Sequence, residues 1–299
     1  MLTIFTPAYN RANLLPRLYE SLCRQTVKDF EWLVVDDGST DNTEDVCKSF
    51  TGEGFDVHYY RKENGGKQRA INYAVERAKG EWFIILDSDD YLTDNAVELV
   101  LPHLADIADK PEFAGVMGLK QNINGEISGG ERHYDVLDTD MLSFRTKHGY
   151  RAESIEVMRT SVMRKFPFPE FEGEKFIQEA VVWNRIARRY KCRYINKVLQ
   201  IIEYQSEGLS SSAADLMRRN PCGALLYYRE AFLYGNTLPY RFWALGEYWL
   251  YYKHCPRRNE ETFRPTIAMR MLRPLAWTYI PIRALRRRMQ RQVTNAIEH

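Results

Sequence analysis

Short apolar runs that end in polar or acidic residues recur through the first hundred residues of the chain, with helical patterns between them. The runs are Leu2–Pro7, Phe30–Val35, Val57–Arg61 and Trp82–Leu86. Continuous apolar strands that alternate with helices are typical of a parallel sheet covered by helices on both faces. We therefore predict an α/β fold with a mainly parallel, Rossmann-like sheet.

The polar residues that follow these strands are expected to lie together. The carboxyl ends of parallel strands share one edge of the sheet, and ligands of open α/β sheets bind there. This places four segments around one predicted crevice: Thr6–Tyr9, Asp36–Ser39, Asn64–Lys67 and Asp87–Asp90.

The acidic segment Asp87-Ser88-Asp89-Asp90 is the first candidate for ligand chemistry. Carboxylates held together at a strand end are costly unless a cation neutralises them, and oxygen ligands of this kind suit Mg²⁺ or a similar ion. The alternative is a solvated turn that caps the following helix. The three other polar strand ends favour the metal site.

Two further segments fit a nucleotide ligand. A carboxylate of Asp36-Asp37-Gly38-Ser39 could accept from a base or a ribose hydroxyl, and Asn64-Gly65-Gly66-Lys67 could meet a phosphate or base carbonyl. Both are also ordinary turn sequences. Neither a G-x-G-x-x-G fingerprint nor a P-loop motif is present, which counts against a dinucleotide-binding fold or a P-loop NTPase.

Beyond residue 110 the pattern weakens, and the expectations are coarser. We predict a hairpin turn at Asn124-Gly125 and a helical, aromatic segment from Asp215 onward. Earlier in the chain, Asp41 with Glu44 three residues later predicts a capping box. Further strands and a helix are predicted at Phe113–Leu119, Val198–Tyr204 and Gln178–Arg189.

The charge is nearly balanced overall but uneven along the chain. The 299 residues carry a net charge of +2, which gives no global argument for a nucleic-acid partner. Residues 257–299 carry +7, and Leu275, Tyr279, Ile282, Leu285, Met289 and Val293 recur there at helical spacing. A basic amphipathic helix of this kind favours contact with an anionic membrane surface. The alternative is a helix packed on the protein with a solvated arginine face.

The cysteines and apolar segments bear on the compartment. Five widely spaced cysteines without a C-x-x-C motif predict neither a disulfide framework nor a zinc site. No signal peptide and no apolar run of about 18 residues is seen. These observations favour a cytoplasmic protein, with peripheral contact at the inner face of the cell membrane through its tail.

Taken together, the four segments resemble the inverting family 2 glycosyltransferases, which have the GT-A fold. The resemblance is carried, in order and spacing, by Thr6–Asn10, Val34–Asp41, Asn64–Lys67 and Leu86–Asp90. It implies a nucleotide-diphospho-sugar donor, with uridine as the expected base, and a Mg²⁺ or Mn²⁺ ion. It also implies a saccharide or lipid-linked saccharide acceptor, as in the synthesis of cell-surface polysaccharide or glycolipid.

Carried over residue by residue, the resemblance assigns roles within these segments. Asp37 would hold the base or ribose, Lys67 would lie near the base, Asp87 would meet the ribose and Asp89 would coordinate the metal. The full set of implied donor-binding residues is Thr6, Pro7, Ala8, Tyr9, Asp37, Lys67, Asp87 and Ser88.

The catalytic base is expected in an acidic pair at the start of a later helix. The matching stretch contains Glu179, with Ala180 where the family usually has its second acid. We take Glu179 as the base that removes the acceptor proton and Glu174 as the reserve candidate. The alternative is that Glu179 only complements the helix dipole. The loop Tyr204–Ser210 resembles the family's segment that closes over the diphosphate.

The sequence thus predicts a catalytic domain over residues 1–215 and a helical C-terminal extension over residues 216–299. The expected activity is metal-dependent sugar transfer with inversion. Two alternatives remain at this stage: a sugar-1-phosphate nucleotidyltransferase, and a nucleotide-sugar-binding protein without catalysis.

Overall fold

A computed structural model of the protein describes residues 1–150, 153–203, 213–276 and 278. These residues divide into two compact units. The first comprises residues of 1–170 and 182–203, and the second comprises residues of 171–181 and 213–278. The proposed domain division at residue 215 remains a prediction.

The first unit is built on one mixed sheet of nine strands, in the order β3-β2-β1-β4-β8-β6-β9-β5, with β7 also paired to β9. The strands are β1 Leu2–Ala8, β2 Phe30–Asp36, β3 Asp56–Arg61, β4 Trp82–Ile85, β5 Tyr91–Leu92, β6 Phe113–Asn122, β7 Val136–Thr139, β8 Ser154–Arg159 and β9 Lys191–Ile202. Strands β1 to β4 pair in parallel, as predicted, whereas β8 runs antiparallel to both β4 and β6.

Helices surround this sheet and form most of the second unit. They are α1 Leu15–Cys23, α2 Thr43–Ser49, α3 Lys67–Arg77, α4 Ala96–Ile107, α5 Met141–Thr146, α6 Thr160–Lys165, α7 Ala180–Ala187, α8 Ala213–Arg219, α9 Pro221–Tyr234, α10 Leu238–Tyr252 and α11 Ile267–Met271. The C-terminal helical segment was predicted from its lack of strand periodicity, and its described residues, 215–276 and 278, confirm it.

Burial on both faces of the sheet explains why the parallel strands of the first unit have unbroken apolar sequences. Leu2 and Ile4 join one buried cluster with α1 and α4, while the next residue, Phe5, is buried against Phe83, with ring centroids 5.6 Å apart. Since successive side chains of a strand point to opposite faces, both faces of β1 are covered. The predicted two-sided burial is therefore confirmed.

The predicted start of α2 needs correction. Asn42, not Asp41, occupies the N-cap position of α2, and Glu44 pairs with Lys48 and Arg61 instead of closing a capping box. The hairpin at Asn124-Gly125 is confirmed, because Gly125 has a φ of 89° and Gln121 bridges to Ile127. Most of the predicted C-terminal amphipathic helix and the loop Tyr204–Ser210 lie outside the described residues.

A disulfide links Cys222 at the start of α9 to Cys255, just beyond α10, within the second unit. Their Cα atoms are 5.0 Å apart, although 33 residues separate them in sequence. The sequence predicted no disulfide framework, and it did not indicate this single pair, since distant partners leave no local spacing signal. Disulfides are more common in oxidising compartments, so the cysteine pattern does not establish a reducing one.

Candidate active site

The segments that follow β1, β2 and β4 lie side by side at one edge of the sheet. The backbone N–H of Asp37 donates to the carbonyl of Ala8 at 2.8 Å, and that of Leu86 donates to the carbonyl of Phe5 at 2.8 Å. The parallel register pairs Ala8 with Asp36. The predicted convergence of the polar strand ends is therefore confirmed.

Asp37 holds the glycine turn that precedes α3. Its carboxylate accepts from the Lys62 ammonium at 2.6 Å and from the backbone N–H groups of Gly65 and Gly66 at 2.9 and 2.7 Å. Gly66 has a φ of 92°, a conformation that glycine adopts at little cost. Three donors leave about one of the four lone-pair sites of this carboxylate for a ligand. The sequence did not predict the contribution of Lys62.

The Asp37 contacts predict a measurable effect on stability. Asp37→Asn removes the ion pair with Lys62 and turns one acceptor oxygen into a donor that faces a backbone N–H. We expect the free energy of unfolding to fall by about 1–3 kcal/mol, the usual cost of leaving a buried donor unsatisfied. Denaturant titration followed by tryptophan fluorescence measures this. Asp45→Asn, at an exposed position in α2, is the matched control and should stay within about 0.5 kcal/mol of the parent. Equal stability of the two variants would contradict the assigned role of Asp37.

Lys67 and Asp87 form an ion pair across the predicted crevice. The Lys67 ammonium lies 2.7 Å from one carboxylate oxygen of Asp87 and 2.9 Å from the other. Burial opposes ionisation of Asp87, but Lys67, with Lys120 and Arg11, outweighs it and lowers the pKa of this carboxyl. The sequence assigned Lys67 and Asp87 separate roles, but the structure joins them in one ion pair.

Asp90 is buried and engaged by β9. Gln200 donates to its carboxylate at 2.5 Å, and the backbone N–H of Glu203 approaches it at 3.4 Å. Burial, reinforced by the negative charges of Asp87 and Asp89 and opposed by Lys120, raises the pKa of Asp90 to about 7. The two hydrogen bonds hold Asp90, and with it the acidic loop, at the C-terminal end of β9.

The acidic loop is also held from α1. Arg17 donates to the backbone carbonyl of Asp89 at 2.7 Å and forms an ion pair with Glu203 at the end of β9. The Arg17 guanidinium lies 4.9 Å from the ring centroid of Tyr91. Arg17 therefore holds the backbone of this loop, and Lys120 adds positive charge near Asp87 and Asp90. The sequence analysis singled out neither residue.

Asp89 is the carboxylate of this loop that the sequence assigned to a metal ion. Burial and the charge of Asp87 raise the pKa of Asp89. In the described part of the chain, no residue other than Asp89 itself donates a hydrogen bond to this carboxylate. The described residues also contain no cluster of three or more His, Cys, Asp or Glu side chains able to hold a metal ion. The donor set therefore fits Mg²⁺ or Mn²⁺ bound by one or two carboxylates and completed by phosphate oxygens, which is the usual arrangement for Mg²⁺.

The segment after β1 divides into supporting and accessible residues. The Thr6 side chain is fully buried, and its hydroxyl accepts from the Trp32 indole N–H at 3.0 Å. Ala8 and Ser88 are buried, and Pro7 is half-buried. Tyr9 is 47% exposed, so its ring is the accessible surface in this segment.

Asn10 completes the segment. It has a φ of 54°, and its side-chain oxygen accepts from the Thr40 backbone N–H at 2.8 Å. The Ser39 hydroxyl in turn accepts from the Asn10 backbone N–H at 2.8 Å. Asn10 thus joins the end of β1 to the turn after β2. The sequence placed Asn10 in the motif Thr6–Asn10 but did not predict this role.

The two carboxylates considered for catalysis differ in their surroundings. Glu179 directly precedes α7, which begins at Ala180 and not at the predicted Gln178, and its side chain is half-buried. Glu174 is buried and accepts from the backbone N–H groups of Cys222 and Gly223 at 2.7 and 2.8 Å. Burial raises the pKa of Glu174, although these two N–H groups oppose the shift. Glu174 is thus committed to the start of α9, which weakens its case as the reserve base.

The family model for glycosyl transferase family 2 matches residues 3–170, which include all four strand-end segments described above. The chain belongs to glycosyl transferase family 2. Glu174 and Glu179 lie beyond the matched range, so the roles of these two carboxylates do not follow from the match.

Curated relatives of this family 2 protein include polysaccharide synthases. A chondroitin synthase of Pasteurella multocida is 43% identical over 226 residues, which cover 74% of this chain and 22% of that protein. A hyaluronan synthase of Pasteurella multocida is 43% identical over 124 residues, which cover 42% of this chain and 12% of that protein. The chain thus spans about a fifth or less of the length of these relatives.

Solved structures confirm the fold. S. aureus TarS in complex with UDP-GlcNAc superposes with a TM-score of 0.60 at 19% identity, covering 92% of this chain and 79% of that chain. A mannosyltransferase from Pyrobaculum calidifontis, in complex with GDP-Man and Mn²⁺, gives a TM-score of 0.54 at 16% identity, covering 93% and 79%. The predicted GT-A fold with a helical C-terminal extension is confirmed. Membership of a glycosyltransferase family also removes the nucleotidyltransferase alternative.

Proposed function

We propose that this family 2 enzyme transfers a sugar from a UDP-sugar to a saccharide hydroxyl, with inversion at the anomeric carbon. The observation that carries the proposal is the convergence of Asp37, the Lys67–Asp87 pair and Asp89 at the carboxyl edge of the parallel strands. Tyr9 provides an accessible ring for a base at the same edge. The choice of UDP rests on the UDP-GlcNAc complex of TarS, and the choice of acceptor on the named products of the Pasteurella synthases.

In the proposed mechanism, the chain's residues bind the donor and move one proton. Tyr9 and Asp37 bind the nucleoside, and Lys67 sets the charge and orientation of Asp87 beside the ribose. Asp89 would hold Mg²⁺ or Mn²⁺, which when bound neutralises the departing diphosphate as a Lewis acid. Glu179 accepts the proton of the acceptor hydroxyl as its oxygen attacks the anomeric carbon. The bond from that carbon to the diphosphate breaks, and UDP leaves.

The experiment that tests this proposal measures UDP release and product stereochemistry together. The purified chain is incubated with Mn²⁺, UDP-GlcNAc or UDP-glucuronate, and chondroitin or hyaluronan oligosaccharides. We expect acceptor-dependent UDP release, loss of activity on chelation, and a product of inverted anomeric configuration by NMR. Donor binding without any turnover across this panel would favour the non-catalytic alternative, and a retained configuration would contradict the assigned mechanism.

We further propose that the protein contacts the anionic inner face of the cell membrane through its C-terminal unit. In the described residues, no helix is long and apolar enough to cross a bilayer. Ile267, Met271 and Leu275, spaced four residues apart in and just beyond α11, are 77%, 75% and 49% exposed. The nearby Arg270 and Arg273 are also exposed. An apolar row beside arginines suits the boundary between lipid headgroups and acyl chains.

This proposal predicts that the double variant Ile267→Ser, Met271→Ser loses vesicle binding. The parent should co-sediment with vesicles containing phosphatidylglycerol at low salt but not with pure phosphatidylcholine vesicles. The variant should bind at least about tenfold more weakly, because burying each of these side chains contributes about 1.5–3 kcal/mol. Ile123→Ser is the matched control, since Ile123 is 56% exposed in the first unit. Failure of the parent to bind, or equal loss in the control, would contradict the proposal.

A further inference from the structure

Two segments of the second unit bind each other through side chains: the segment that leads to Glu179, and the start of α9. Asn220 is the N-cap residue of α9, yet its side chain does not cap its own helix. Its side-chain oxygen instead accepts from the backbone N–H groups of Lys175 and Phe176 at 2.7 and 3.2 Å. The α9 N–H groups of Cys222 and Gly223 are bound in turn by the Glu174 carboxylate. Each partner thus satisfies backbone donors of the other.

This exchange is buried and closely fitted. The exposed fractions of Glu174 and Asn220 are only 7% and 6%. A Cβ atom at Gly223 would lie 2.9 Å from the carbonyl oxygen of Phe176, so only glycine permits this approach of the two backbones. Asn220 also donates to the carbonyl of Leu216 at 2.7 Å, which fixes the orientation of its amide. The disulfide from Cys222 to Cys255 also holds this helix start.

We propose that Glu174 and Asn220 are positioning residues, which hold the backbone of residues 174–176 against α9 and so set the place of Glu179. The inference rests on the proposed function, in which Glu179 is the base. Many buried polar side chains contribute to stability alone. Here, however, the hydrogen bonds of Glu174 and Asn220 fix the short segment that leads to Glu179 against the start of α9. Glu179 lies five positions after Glu174, and the backbone N–H of Val181 donates to the carbonyl of Gln178 at 3.0 Å, which turns the chain into α7.

The expected effect appears in turnover and not in donor binding. Asn220→Ala removes the acceptor for two backbone N–H groups, and Glu174→Gln removes one of two carboxylate oxygens with little change in volume. We expect each to lower kcat at least about tenfold, because a displacement of about 1 Å in an active site can cost about 10²-fold. The Kd for UDP with Mn²⁺ should stay within about twofold of the parent, since Glu179 serves the acceptor.

Asp140→Ala is the matched control for Asn220→Ala. One side-chain oxygen of Asp140 accepts from the backbone N–H groups of Leu142 and Ser143 at 2.9 and 2.8 Å at the start of α5, as one oxygen of Asn220 accepts from two backbone N–H groups, but in the first unit. Its loss should lower the melting temperature much as Asn220→Ala does. It should leave kcat unchanged once the rate is referred to the folded fraction.

The deciding measurement combines Asn220→Ala with Glu179→Gln. If Asn220 acts through Glu179, the double variant has the same kcat as Glu179→Gln alone, because the positioned group is already lost. An equal loss from Asn220→Ala in both backgrounds overturns the inference, since the effect then does not pass through Glu179. If Glu179→Gln is inactive but Asn220→Ala and Glu174→Gln keep full kcat, only the positioning role is wrong. If Glu179→Gln itself keeps full kcat, the proposed function fails, and the positioning role fails with it.

Discussion

Glu179→Gln is expected to lower kcat for sugar transfer by about 10²–10⁴-fold, the usual contribution of a general base. The amide keeps the shape of the side chain but cannot take up the acceptor proton. The reaction then depends on water, which is a poor base at neutral pH. Acceptor-dependent UDP release under saturating donor measures this change.

Donor binding should hardly respond to the same substitution. The residue acts on the acceptor hydroxyl, so the Kd for UDP with Mn²⁺ should remain within about twofold of the parent. Glu172→Gln provides the matched control, because Glu172 is an exposed carboxylate seven residues upstream. A variant at Glu179 that turns over like the Glu172 control would mean that Glu179 is not the base.

The first hundred residues were the most predictable part of the fold. The strands β1, β2 and β4 are buried on both faces, so each leaves an unbroken apolar run in the sequence. Parallel pairing then dictates that their carboxyl ends share an edge. For this reason the sequence pattern predicts the grouping of Asp37, Lys67 and Asp87.

Strand β9 shows where the same reasoning failed. It was predicted from Val198 but begins at Lys191, because charged residues interrupt its apolar pattern. One of them, Arg193, forms ion pairs with Asp106 of α4 and Asp138 of β7. Such pairs join segments far apart in sequence and leave no periodic signal.

The site contacts were less predictable than the site's location. The sequence assigned Asp37 to a ligand, but three of its hydrogen bonds serve the turn before α3. The disulfide joins residues 33 positions apart, and the hydrogen bonds of Glu174 and Asn220 join residues 44 to 49 positions apart. No local pattern encodes contacts of this length, since they arise only when the second unit folds.

Asp89→Asn should abolish the metal dependence of donor binding while leaving the fold intact. The raised pKa of Asp89 means that folding disfavours its charge, through burial and the repulsion from Asp87. Removing that charge should therefore leave the free energy of unfolding unchanged or slightly higher. Loss of one partner of a buried charge pair costs about 2–5 kcal/mol, so UDP binding in the presence of Mn²⁺ should weaken by roughly 10²-fold or more.

Calorimetric titration of UDP with and without Mn²⁺ tests the central claim most directly, namely that this edge of the sheet binds a diphosphate through a metal held by Asp89. The parent and the control Asp94→Asn, which changes an exposed carboxylate paired with Arg24, should both bind UDP much more tightly with Mn²⁺. Asp89→Asn should bind equally weakly with and without the metal. If Asp89→Asn keeps the full gain from Mn²⁺, or if the parent shows no gain, the assignment of the metal and donor site is contradicted.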